Sequence, residues 1–173
     1  MEILFYRYGS ICEPDIIDAM RICGLTVIEE STEIRQKSIS FESRIRILGE
    51  LILSRRPAFV FSINYFPHIS ELCEKTGTLY VSLTVDCPVL ELFHISIRNR
   101  CNRIFLFDHA QYQRFHPENP ECIFYLPLAA NTSRWDDVLS SLTDLDRQKY
   151  VCDLSFVGSL YTEKSPLSVT YCF

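Results

Sequence analysis

Glycine is scarce, with five residues in 173. Gly9 stands alone after the first apolar run, so there is no G-x-G-x-x-G dinucleotide fingerprint and no P-loop. No G-x-S-x-G string offers a hydrolase elbow. No apolar run reaches about 18 residues, which argues against a membrane-spanning helix. Basic residues are not in excess: 17 Lys and Arg stand against 22 Asp and Glu, a net charge of -5. A chain of that balance is a poor general binder of nucleic acid or anionic membrane, and no nucleic-acid partner is expected. The opening Met1-Glu2-Ile3-Leu4-Phe5 lacks the basic region and cleavage site of a secretory signal. None of the eight cysteines forms a C-x-x-C pair. The histidines, at 68, 94, 109 and 116, have no metal-ligand spacing either. The expectation is therefore reduced thiols in a cytoplasmic protein, with no metal and no cofactor.

What is present is ordinary globular material: 47% hydrophobic and 23% charged residues. A chain of this length buries about 70% of its unfolded surface, enough for one real core. Short apolar runs alternate with segments of helical period. Strands are expected at 3–8, 25–29, 58–63, 79–85, 103–107, 122–126 and 152–157. Helices are expected over 14–23, from Phe41 to Pro57, over 67–76 and near 109–116. Val89, Phe93 and Ile97 mark a further helix, and Trp135, Val138, Leu139 and Leu142 mark the last one. Residues 30–40 are polar and without period, and read as a loop. This alternation implies right-handed βαβ crossovers and an α/β, Rossmann-like, mainly parallel sheet flanked by helices.

Open parallel sheets bind ligands beyond the carboxyl ends of their strands. The residues that follow the strands are therefore the candidates: Tyr8, Gly9, Ser10, Asn64, Tyr65 and Asn131 for substrate binding, and His109, Asp86 and Asp108 for general base work. Each has a structural reading beside the functional one. Asp86 and Asp108 each precede a helix as natural N-caps, and Asp108 has Gln111 three residues on. Asn131 or Thr132 suits the cap of the last helix. Ser10 with Glu13 suits a capping box on the first, and Gly9 a tight turn. The stretch Arg98-Asn99-Arg100-Cys101-Asn102-Arg103 can attract phosphate or serve as a solvated helix end.

The ordered strings Ile3-Leu4-Phe5-Tyr6-Arg7-Tyr8-Gly9-Ser10, Phe61-Ser62-Ile63-Asn64-Tyr65-Phe66-Pro67, Val85-Asp86-Cys87-Pro88, Phe105-Leu106-Phe107-Asp108, Tyr125-Leu126-Pro127-Leu128-Ala129 and Phe156-Val157-Gly158-Ser159 resemble the N-terminal region of the CgeB-like, spore maturation protein glycosyltransferases. The resemblance implies the acceptor-side half of a two-domain GT-B enzyme: residues 1–150 form that domain, and 151–173 the first strand of a truncated second domain with an atypical tail. It implies a nucleotide-sugar and an acceptor as partners of an intact enzyme, and a partner chain supplying the missing half. Such a fragment is expected to be inactive alone, with Gly9 letting backbone approach the donor phosphates. The alternative from the residues is a non-catalytic, stand-alone α/β binding module in the generic manner of receiver or flavodoxin-like domains. The acidic pair that a receiver carries after its first strand is absent from Tyr8-Gly9-Ser10.

Overall fold

The computed structural model describes residues 1–155. The chain divides into two compact units, Met1–Ala130 and Asn131–Phe173.

The first unit is built on six parallel strands: β1 (Glu2–Tyr6), β2 (Thr26–Glu30), β3 (Phe59–Ile63), β4 (Leu79–Leu83), β5 (Asn102–Leu106) and β6 (Ile123–Tyr125). They lie in the order β2-β1-β3-β4-β5-β6. Every pairing is parallel, with Leu4 opposite Val60, Val60 opposite Tyr80 and Ile104 opposite Ile123. The first five strands follow the 2-1-3-4-5 order of flavodoxin-like doubly wound sheets, not the 3-2-1-4-5-6 order of the dinucleotide-binding fold. The α/β parallel sheet expected from sequence is thus present, and its order places the topological switch between β1 and β3.

Side-chain alternation along the strands makes two faces. Leu4, Tyr6, Val60, Tyr80, Ile104 and Leu106 are buried in one cluster with Leu48, Ile52, Ile69 and Cys73. The last four lie on α3 (Phe41–Arg55) and α4 (Pro67–Thr76). Ile3, Phe5, Phe61 and Ile63 point the other way and bury Ile17 of α1 (Glu13–Ile22). The limits of α4 are set by punctuation. Pro67 opens it, since its missing N–H and fixed φ suit a first turn. Gly77 closes it at φ 67°, a left-handed cap that costs glycine nothing.

Several sequence expectations are corrected. Residues 30–40 contain a short helix, α2 (Thr32–Arg35). The expected helix through Val89, Phe93 and Ile97 is two 3-10 turns, Leu90–Phe93 and Ile95–Arg98. His94 between them is extended, so the apolar stripe is broken: Val89 and Ile97 are buried while Phe93 is 63% exposed. After β5 comes α5 (His109–Phe115). The second unit holds α6 (Thr132–Ser141) and α7 (Asp144–Tyr150), the latter unforeseen although Thr143 and Asp146 form a complete capping box. Trp135, Val138 and Leu139 lie on α6, where the last helix was expected. Residues 152–155 form no strand, and the rest of the strand expected to 157 lies outside the described residues, as does the tail to 173.

Among the described residues no helix is long and apolar enough to cross a membrane. The described cysteines are free thiols, with Cys73, Cys101 and Cys122 buried. Burial pushes the Cys101 thiol up to about 12, with Glu74 adding to the shift.

Candidate functional site

The loop after β1 is organised by one carboxylate. Glu13 is fully buried, and its Oε1 accepts the backbone N–H of Tyr8 at 2.9 Å, Gly9 at 2.8 Å and Ser10 at 3.0 Å. Its other oxygen takes Arg7 Nε at 2.9 Å, and Arg7 Nη1 continues to Glu29 at 2.6 Å. Successive N–H groups converging in this way form an anion-binding nest. In many doubly wound proteins that loop cradles a ligand's phosphate. Here the chain's own carboxylate fills it. Gly9, at φ 99°, supplies the turn, and its N–H is already used. The capping box expected of Ser10 and Glu13 is half present: Glu13 reaches back to Ser10 N–H, while the helix N-cap is Cys12, without a side-chain bond.

Asn64 ends β3 in the left-handed region, at φ 56°. Its Nδ2 donates to Tyr8 Oη at 3.1 Å and to Asp86 Oδ2 at 2.6 Å, and its Oδ1 accepts Val85 N–H at 3.0 Å. One amide thus ties together the segments that follow β1, β3 and β4. Burial raises the Tyr8 phenol above its ordinary value, against the hydrogen bonds of Ser10 and Asn64, and the charges of Asp86 and Glu13 add to the rise.

The segment after Asn64 is held from beneath by buried hydroxyls. Tyr80 Oη accepts the Phe66 N–H at 3.0 Å and lies 2.6 Å from Ser62 Oγ. Tyr65 Oη lies 2.7 Å from Ser96 Oγ, and Ser96 meets His94 Nδ1 at 2.9 Å. Burial pushes both the Tyr65 and Tyr80 phenols up. His94, Ser96 and Glu71, with His94 Nε2 at 4.0 Å from Glu71, have the outline of a nucleophile relay. Ser96 is 3% exposed and bonded to Tyr65, so it is a strut and not a nucleophile.

These elements enclose an open cleft of about 270 Å³ at the switch point, walled by Tyr8, Asn64, Phe66, Asp86, Val89 and Glu91. The structure brings Tyr8, Asn64 and Asp86 together at these strand ends, while Tyr65, expected beside them as a ligand contact, is fully buried with its hydroxyl against Ser96. Asp86 caps no helix: the following 3-10 turn begins at Leu90, with Val89 at its N-cap. Asp108 caps α5, its Oδ1 accepting Gln111 N–H at 2.7 Å, and Gln111 turns its amide to the Asp86 carbonyl at 3.2 Å. His109 is exposed, edge-on to Tyr125 at 5.4 Å, and does not line the cleft. Asn131, in the second unit, caps α6 by accepting Arg134 N–H at 3.1 Å. Glu91 and the buried role of Glu13 were missed. A signal for Glu13 existed, three residues past Ser10; none marked Glu91.

Among the described residues no group of three His, Cys, Asp or Glu side chains is placed to hold a metal ion. No protein-family profile matches the chain, and no curated protein matches it. A solved structure to which it is similar is the BeF3-activated N-terminal receiver domain of RstA from Klebsiella pneumoniae, at 13% identity and a TM-score of 0.39, over 81% of this chain and 97% of that one. The expected membership in the CgeB-like glycosyltransferases is corrected: no model of that family matches the chain. The strand order differs from the dinucleotide-binding one, and Glu13 occupies the loop where Gly9 was to admit donor phosphates. With that membership go the GT-B half, its nucleotide-sugar and acceptor, and the partner chain meant to complete it.

Proposed function

We propose that this chain is a non-catalytic α/β binding module whose ligand is a small organic cation with an apolar body, seated in the switch-point cleft. The carrying observation is Asn64, whose side chain fixes Tyr8, Val85 and Asp86 around an open cavity. Two carboxylates, Asp86 and Glu91, line that cavity, and neither is in an ion pair among the described residues. Tyr8 and Phe66, edge-to-face at 5.2 Å, add an aromatic wall of the kind that favours cations. The volume falls just below the roughly 300–1,000 Å³ typical of ligand clefts, which fits a small molecule. The plugged nest argues against a phosphorylated ligand at this edge. Free thiols favour a reducing compartment, and a cytoplasmic setting is part of the proposal.

The test is an amide NMR titration of the whole chain with butylamine, butyrate and butanol at matched ionic strength. Saturable shifts at Tyr8, Asn64 and Asp86 with the amine alone, lost in Asp86→Asn with Glu91→Gln, are expected. Equal responses to all three probes, or none to the amine, overturn the reading.

A further inference from the structure

We propose that the opposite edge of the sheet carries a second, independent site for a phosphate-class oxyanion, with Arg100 and Arg103 as its ligands. A cleft of about 690 Å³ opens there between the second 3-10 turn, the start of β5 and the turn before β6, lined by Arg98, Arg100, Arg103, Glu118, Glu121 and Cys122. It lies wholly within the first unit and owes nothing to the switch-point site.

The charges in this cleft are not equivalent. Glu118 is fully engaged: Arg98 reaches its Oε2 at 2.7 and 3.3 Å, and Arg114 its Oε1 at 3.6 Å. Arg103 is positioned differently. Its Nη1 donates to the carbonyls of Arg100, at 3.1 Å, and of Asn102, and approaches Cys122 Sγ at 3.5 Å. Neutral acceptors on one side fix the guanidinium and leave its charge uncompensated. Among the described residues neither Arg103 nor Arg100 has a carboxylate partner. The wall behind them is held as well, since Asn119 Nδ2 donates to the Ile97 and Asn99 carbonyls at 3.0 and 3.2 Å.

Two uncompensated guanidiniums on a chain of net charge -5 are a local device, not part of a basic surface. The planar forks of arginine match the paired oxygens of a phosphate. A phosphate dianion can engage both forks, where a single carboxylate carries one charge for two. Glu121 on the rim is unpaired among the described residues and opposes an incoming anion, so it sets affinity downward.

The experiment is an NMR titration of the full chain with inorganic phosphate, phenyl phosphate and acetate, each at the same ionic strength held with chloride. Expected are saturable shifts at Arg100, Arg103 and Cys122 for a phosphate compound, at least about tenfold weaker in Arg100→Gln and about two- to fivefold tighter in Glu121→Gln. Both side chains are exposed, so both variants keep the fold. Preference for the ester over the free ion assigns the site to phosphorylated molecules, and the reverse assigns it to free phosphate. The proposal is overturned by acetate binding as tightly as phosphate, by shifts that track ionic strength alone, or by an Arg100→Gln variant that binds unchanged.

Discussion

Asn64 donates to Asp86 at 2.6 Å across the ends of neighbouring strands, while its backbone sits at a positive φ of 56°. The two features belong together. Asparagine tolerates the left-handed region better than other residues with a side chain, and its amide serves as donor and acceptor at once. A strand end that must turn sharply and also hold its neighbour is thereby served by one residue.

Replacing Asn64 separates the two roles. Asn64→Gly keeps the backbone angle and removes the amide; Asn64→Ala removes the amide and adds left-handed strain of about 1–2 kcal/mol. Urea unfolding is expected to rank wild type above Asn64→Gly and Asn64→Gly above Asn64→Ala. An alanine variant at least as stable as the glycine one would contradict the assigned strain.

Two hydroxyls on the same face of β4 have opposite expected effects. Tyr80 Oη serves Ser62 and the Phe66 N–H, so Tyr80→Phe leaves a backbone donor without its acceptor and costs about 1–3 kcal/mol. Ser82 is fully buried and its Oγ has no partner. Ser82→Ala is therefore expected to be neutral or to stabilise by up to about 1 kcal/mol. Thermal unfolding of the two variants side by side checks the pair.

His68 gives the fold an acid sensitivity. Burial, with the Arg44 charge adding and the Glu33 charge opposing, lowers its imidazole to about 4. The unfolded chain takes up a proton below about pH 6.5, and the folded chain does not until about pH 4, so stability falls as pH drops through that window. The loss approaches about 3 kcal/mol at its lower end. His68→Phe, set among Tyr6, Phe41 and Phe66, is expected to flatten this part of the profile, as followed by urea midpoints at pH 4.5, 5.5 and 7. An unchanged slope would exclude His68 as its source.

Loss of the buried Glu13 carboxylate is expected to destabilise the loop after β1. Glu13→Gln keeps one carbonyl acceptor for the nest but removes the charge facing Arg7, and about 1–3 kcal/mol is expected. Glu13→Ala strands three backbone donors and the guanidinium and is expected to cost more, about 3–5 kcal/mol. Amide exchange at Tyr8, Gly9 and Ser10 should quicken in both variants before the strands are affected.

The strands and the long helices were legible because each has an apolar period and clear punctuation. Residues Pro67–Thr76, between a proline and a glycine, were read to the residue. The stripe Val89, Phe93, Ile97 misled because its spacing is helical while His94, extended between two short turns, interrupts the backbone. Short helices such as Thr32–Arg35 lack the length to show a period. At the site, Tyr8, Asn64 and Asp86 followed from strand ends alone. The plugged nest did not, since a glutamate in a helix's first turn looks the same whether it faces water or backbone. The family resemblance failed for a related reason: apolar strands ending in small or polar residues recur in any doubly wound sheet.

Glu13 holds the loop after β1 with an anion that belongs to the chain itself. A loop shaped by a soluble anion is only as ordered as that anion is abundant. Here the anion is tethered, so occupancy of the nest is complete at every phosphate level and, being buried, is little affected by salt. The ordering cost of Tyr8, Gly9 and Ser10 is met once, at folding, and none remains to be met at recognition. The backbone that carries Tyr8 to the edge of the adjacent cleft is therefore already ordered in the free protein.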